Sequence, residues 1–127
     1  MYDDMIIRNF FTDGIDGIPM SDFRKRGAEE RSEVIWRAAH GRVERIVSRG
    51  YASPPGFWYD QAEEELVLVL QGSAGVRVDD EGILELGSGD WIVIPAHRRH
   101  RVEWTSTEPA CVWLCVFGEG SAAPKPD

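Results

Sequence analysis

His100 is the residue of this chain whose type and position most clearly point to chemistry. In His100-Arg101-Val102-Glu103-Trp104-Thr105 polar and apolar side chains alternate. A period of two puts His100, Val102 and Trp104 on one face of a strand and Arg101, Glu103 and Thr105 on the other. The imidazole therefore points inward, as a satisfied core group or as a ligand. Upstream, Tyr59 and Gln61 alternate along Phe57-Trp58-Tyr59-Asp60-Gln61 and share a face, and Glu65 opens the apolar run Leu66 to Leu70. A carboxylate on an interior face costs several kcal/mol unless it is paired. Glu65 and His100 can supply that pairing, with Tyr59 and Gln61 completing a polar network. Such a patch in an apolar interior is a natural small-molecule site, with Phe57, Trp104 and Trp113 as aromatic walls beside Tyr59. His97, just past Pro95, lies in a corner and is assigned to the rim. Arg98, Arg99 and Arg101 form a basic cluster that reads either as a solvated loop or as the face for an anionic ligand.

The elements that must position these groups are short strands. Thirteen glycines and seven prolines break the chain into segments rich in Val, Ile, Leu and aromatics, the pattern of an all-β domain. Strands are predicted at 5–11, 43–48, 57–61, 65–71, 75–78, 83–86, 91–95, 100–105 and 111–117. Turns are expected at Asp79-Asp80-Glu81-Gly82 and Gly87-Ser88-Gly89-Asp90, with a glycine-rich turn over 13–17. One short helix is predicted over 28–40, from the common face of Val34, Ile35, Ala38 and Ala39, a Glu33–Arg37 pair and a Gly41 cap. The cadence is that of a jelly roll or small barrel. The expected organisation is an N-terminal strand and helix in 1–42, a barrel in 43–117 and a disordered tail in 118–127.

At 127 residues there is room for one core and one domain. The net charge of -8 disfavours nucleic acid and anionic membrane as partners. No apolar run approaches the roughly 20 residues of a membrane span, and no signal-peptide pattern opens the chain. A soluble, cytoplasmic protein is the expectation. Cys111 and Cys115 sit four apart in a predicted strand, about 13 Å, too far for a disulfide. They are expected to be buried free thiols.

In its spacing the chain resembles the cupin superfamily. The first cupin motif sets a glycine ahead of two histidines, a glutamate and a second glycine. Here Ser53, Tyr59, Gln61, Glu65 and Gly72 occupy those places. The second motif has glycine, proline, glycine, histidine and asparagine; Gly89, Pro95 and His100 match it, while His97 stands in place of its second glycine and Trp104 in place of its asparagine. The resemblance covers about 43–117 and implies a double-stranded β-helix. In metal-binding cupins the motif histidines and glutamate hold a divalent ion. Transferred to this chain, the candidate metal ligands are Gln61, Glu65 and His100, with Tyr59 as a further ligand if it ionises. The candidate ions are Mn, Fe, Zn or Ni, the oxygen-rich set relatively favouring harder ions. The alternatives are a metal-dependent enzyme and a non-catalytic barrel that binds a small molecule after losing its ion. The resemblance also implies a homodimer, with 5–11 added to a partner's sheet edge.

Overall fold

The computed structural model describes residues 5, 7–11 and 30–119. Eight strands follow in order: β1 (Glu30–Ala38), β2 (Gly41–Ser48), β3 (Glu64–Gln71), β4 (Ala74–Val78), β5 (Gly82–Leu86), β6 (Trp91–Ile94), β7 (His100–Thr105) and β8 (Cys111–Gly118). They make a five-stranded sheet in the order β1-β2-β8-β3-β6 and a three-stranded sheet in the order β5-β4-β7, every pairing antiparallel. Alternation along each strand sends one set of side chains between the sheets. Val67, Val69, Trp113, Cys115 and Phe117 from the larger sheet meet Ala74, Val76, Val78 and Leu86 from the smaller one in a single core. Among the described residues no helix is long and apolar enough to cross a membrane.

The predicted helix is replaced by β1. Its residues pair with β2 from Glu30↔Ser48 to Ala38↔Gly41 around the two-residue turn Ala39-His40. The register slips between Val34 and Trp36, so Ile35 is an extra residue that breaks the two-residue period. That irregularity imitates helical spacing in the sequence, while β-branched Val34 and Ile35 and aromatic Trp36 favour the extended chain. Glu33 pairs with Arg45 on the neighbouring strand rather than with Arg37. Gly41 is no helix cap: a Cβ there would lie 2.6 Å from the Phe117 carbonyl oxygen.

Two other predicted strands are reduced. The described part of 5–11 pairs with no strand and ends in a turn at Phe10-Phe11. Phe10 instead packs on Val47, Ala110 and Val112, and its carbonyl accepts a 2.9 Å bond from Arg45. The segment 57–61 forms a single bridge, Tyr59↔His100, because Pro54, Pro55 and Gly56 just before it interrupt the extended run. The turn expected over 13–17 lies outside the described residues, as does the expected 118–127 tail from residue 120 on; Gly118, assigned to that tail, is instead the last residue of β8.

A bulge in β7 redirects its side chains. Gly75 faces Trp104 and Val76 faces Val102, which leaves Glu103 as the extra residue. The inward row is therefore His100, Val102 and Thr105, and Trp104 is turned outward over Gly75. A Cβ on Gly75 would meet the indole nitrogen at 2.2 Å.

Candidate functional site

Between the sheets lies a cavity of about 240 Å³. Tyr59, Gln61, Glu65, His100 and Trp113 all line it, so five of the seven candidate residues come together. Phe57 stands behind Tyr59, their rings edge to face at 4.7 Å. Trp104 faces outward, as the bulge requires.

Each group is held by its element. Tyr59 reaches β7 through a reciprocal backbone pair: its N–H donates to the His100 carbonyl at 2.7 Å and its carbonyl accepts from His100 N–H at 3.1 Å. This lays the phenol ring against the imidazole, 5.2 Å between centroids and 22° between planes. The loop before it is fixed by Arg101, whose guanidinium donates to the carbonyls of Ser53, Pro54 and Phe57, each at 3.0 Å. Glu103, with its own carboxylate 2.9 Å away, steadies that guanidinium.

The orientation of His100 follows from one bond. Its Nδ1 lies 2.9 Å from the Arg98 carbonyl oxygen, and a carbonyl can only accept, so Nδ1 carries hydrogen. In the neutral ring Nε2 is then a bare acceptor. It lies 3.5 Å from Oε1 of Glu65, with both side chains buried. A proton or a donor group between them satisfies both. Gln61 donates its amide to the same carboxylate at 3.2 Å.

Sequence reasoning passed over four polar residues of the cavity: Glu30, Arg42, Glu44 and Cys115. Glu30 was hidden by the helix assignment. Arg42 and Glu44 share an inward parity with Ile46, and Cys115 shares one with Trp113 and Phe117, which is the signal that could have found them. Burial first, then the charge and hydrogen bond of Glu65, then the charges of Glu44 and Glu30, push the Cys115 thiol well above its ordinary value. Three carboxylates thus act on one interior point. Arg42 is the counter-charge, bonded to Glu44 at 2.7 Å and to Glu63, with its guanidinium 4.1 Å from the centre of the Phe117 ring. Burial alone would lower its pKa, but the two carboxylate bonds outweigh that and raise it.

This donor set does not assemble a metal centre. Among the described residues no group of three or more His, Cys, Asp or Glu side chains has the geometry to hold a metal ion. Gln61 turns its amide nitrogen to Glu65, and Tyr59 stacks its ring on the imidazole. Of the four candidate ligands, one imidazole nitrogen and one carboxylate remain, short of the three protein ligands of a typical catalytic zinc site. His97 stays at the rim: its side chain is 70% exposed and its Nδ1 sits 2.9 Å from Asp60. Its φ of 63° is a left-handed conformation that suits the glycine of the cupin motif at this place.

A family model described as the Cupin domain matches residues 47–117. A solved Ralstonia eutropha protein, provisionally named a mannose-6-phosphate isomerase, is 36% identical with a TM-score of 0.76, covering 91% of this chain and 100% of that one. KdgF from Halomonas sp. has the same fold at 16% identity and TM-score 0.64, over 79% of this chain and 89% of that one. The polyketide cyclase RemF of Streptomyces resistomycificus shares it at 23% identity and TM-score 0.61, over 75% and 68%. No curated protein matches the sequence.

Proposed function

The chain belongs to the cupin family, and we propose that its barrel binds a small, uncharged, polyhydroxylated metabolite without a resident metal ion. The observation that carries this reading is the 3.5 Å approach of His100 Nε2, an acceptor in the neutral ring, to the Glu65 carboxylate in a cavity that also holds Glu30 and Glu44. The site is rich in acceptors and short of donors, so a ligand that brings hydroxyl donors complements it. Tyr59 and Trp113 offer ring faces to the ligand's carbon skeleton. At about 240 Å³ the space falls below the pockets of drug-sized ligands and suits a molecule of monosaccharide size.

The name of the Ralstonia relative suggests a sugar, and the charge pattern here argues for one without its phosphate. A phosphate needs a free cation or an array of N–H donors. Arg42 is engaged by Glu44 and Glu63, Arg98 by Glu81 and the Asp79 carbonyl, Arg99 by Trp58 and Asp79, and Arg101 by the loop carbonyls. Three carboxylates would repel the anion.

The 3.5 Å approach of Glu65 and His100 favours one extension of this reading, proton transfer on the bound ligand. Incorporation of solvent deuterium into the ligand tests it.

The binding itself is tested by melting-temperature shifts with neutral monosaccharides and polyols, their phosphate esters, and Mn, Fe, Zn and Ni ions. Neutral compounds should raise the melting temperature of the wild type and leave His100→Ala unmoved. Stabilisation by the phosphate esters, or stoichiometric metal retained in protein purified without a nickel column, would overturn the proposal.

A further inference from the structure

The corner between β6 and β7 is a tight turn, in which the Arg98 N–H donates to the Pro95 carbonyl at 3.1 Å. His97 takes its third position with φ 63°, the left-handed value that a type II turn requires and that glycine adopts freely. A residue with a Cβ is strained there. Such strain persists where the surroundings over-determine it, and it gathers at functional sites. The corner makes two bonds to the segment 57–61. The His97 N–H donates to the Gln61 carbonyl at 2.7 Å, a bond that glycine would make equally well. The other needs the side chain: Nδ1 donates to the Asp60 carboxylate at 2.9 Å.

We propose that His97 is a positioning residue, whose ring acts through Asp60 to hold the Gln61 amide on Glu65. Successive side chains of an extended segment point to opposite sides, so anchoring Asp60 outward directs Gln61 inward. Tyr59 is fixed separately, by its bridge to His100. Past that bridge the segment hangs on the corner, with the Gln61 carbonyl on the His97 N–H and the Asp60 carboxylate on the His97 ring. The Gln61 amide then meets Glu65 Oε1 at 3.2 Å and decides how the carboxylate presents its remaining lone pairs to the cavity. The ring of His97 is exposed at the rim, so it acts on a ligand at one remove. Its effect on affinity rests on the reading of the cavity as a polyol site, whereas its effect on Gln61 does not.

Three variants of the full chain test the assignment. His97→Gly removes the ring and the strain together, and Asp60→Ala removes only the partner of the ring. His97→Asn keeps the bond, because its amide nitrogen stands where Nδ1 does and asparagine tolerates the left-handed conformation. Each variant is read by NMR, as solvent exchange of the Gln61 side-chain amide protons in ligand-free protein. Each is also read by calorimetry, as affinity for the neutral monosaccharide or polyol that stabilises the wild type. In His97→Gly and Asp60→Ala exchange should quicken and binding weaken, each about tenfold, the loss of one hydrogen bond. His97→Gly should nevertheless melt within about 4 °C of the wild type, since relief of strain offsets the lost bond. His97→Asn should restore both readings. Exchange unchanged in His97→Gly and Asp60→Ala overturns the proposal, as does affinity that holds while exchange quickens, or His97→Asn behaving as His97→Gly. If no neutral compound binds the wild type, the reading of the cavity fails, and exchange at Gln61 alone decides the role of His97.

Discussion

Replacing Glu65 by glutamine separates a ligand-binding carboxylate from one that merely partners His100. The wild-type carboxylate is buried, with one amide donor in Gln61, the Cys115 thiol, and a bare imidazole nitrogen at 3.5 Å. In Glu65→Gln the new amide N–H can donate to His100 Nε2, the acceptor of a neutral ring whose Nδ1 donates to the Arg98 carbonyl. The desolvation cost of the charge disappears, and exchange of a buried ionic group for a well-fitting neutral one is often neutral or stabilising. The variant should therefore be as stable as the wild type or about 1 kcal/mol more stable, a rise of about 4 °C in melting temperature. A hydrogen bond from ligand to a buried charged group contributes about 1.5–3 kcal/mol, so binding of the neutral monosaccharide or polyol that stabilises the wild type should weaken about 10- to 150-fold. Thermal melts give the first quantity and titration calorimetry the second. A loss of 2 kcal/mol or more in stability with affinity unchanged would refute the reasoning and leave Glu65 a structural partner of His100.

Other perturbations probe the frame around the site. Gly72 has φ +79°, and a Cβ there would lie 2.7 Å from the Ala110 carbonyl oxygen and 2.9 Å from Cys111 Cα; Gly72→Ala should cost about 3 kcal/mol by chemical denaturation, and a loss under 1 kcal/mol would contradict the packing. Burial pushes the Cys111 thiol up to about 12 and Cys115 higher than its ordinary value, so neither should react with a thiol reagent at mildly alkaline pH until the protein unfolds. Hydrogen bonding from Arg77, opposed by desolvation and helped by the charge and hydrogen bond of Arg101, holds the Glu103 carboxyl below its ordinary value of 4.5. A depressed carboxyl stabilises above that value and loses its contribution as pH falls through the folded pKa. Glu103 is partly exposed, so the contribution stays under about 1 kcal/mol. Melts against pH should show Glu103→Gln below wild type near neutrality and level with it in acid, whereas a gap that does not vary with pH would count against the ion pairs.

Apolar segments bounded by glycine, proline and turn residues made β2 to β8 legible in the sequence to within a residue or two. Alternation within 57–61 and 100–105, together with the spacing of the two cupin motifs, picked out Tyr59, Gln61, Glu65 and His100, which with Trp113 line one cavity, although 57–61 contributes only a bridge. The misreadings of β1 and β7 share a cause. Ile35 in β1 and Glu103 in β7 are each one residue too many for the partner strand, and a bulge has no mark in a single sequence. The first disguised a strand as a helix and hid Glu30 from the site. The second reversed Trp104, whose place over Gly75 depends on a residue in another strand. Arg42, Glu44 and Cys115 were reachable by parity but are of types that also suit a solvent face or a plain core.

Arg101 carries a consequence for how this barrel can diversify. Its guanidinium holds the lip of the cavity through carbonyl oxygens alone, those of Ser53, Pro54 and Phe57. Such a clamp reads the course of the main chain and is blind to side-chain identity. The loop can therefore trade its exposed residues, Phe57 and its neighbours, without releasing the bridge that delivers Tyr59 to His100. Specificity at the entrance and geometry at the base can then change independently, the one in the loop's side chains and the other in the arginine that ignores them.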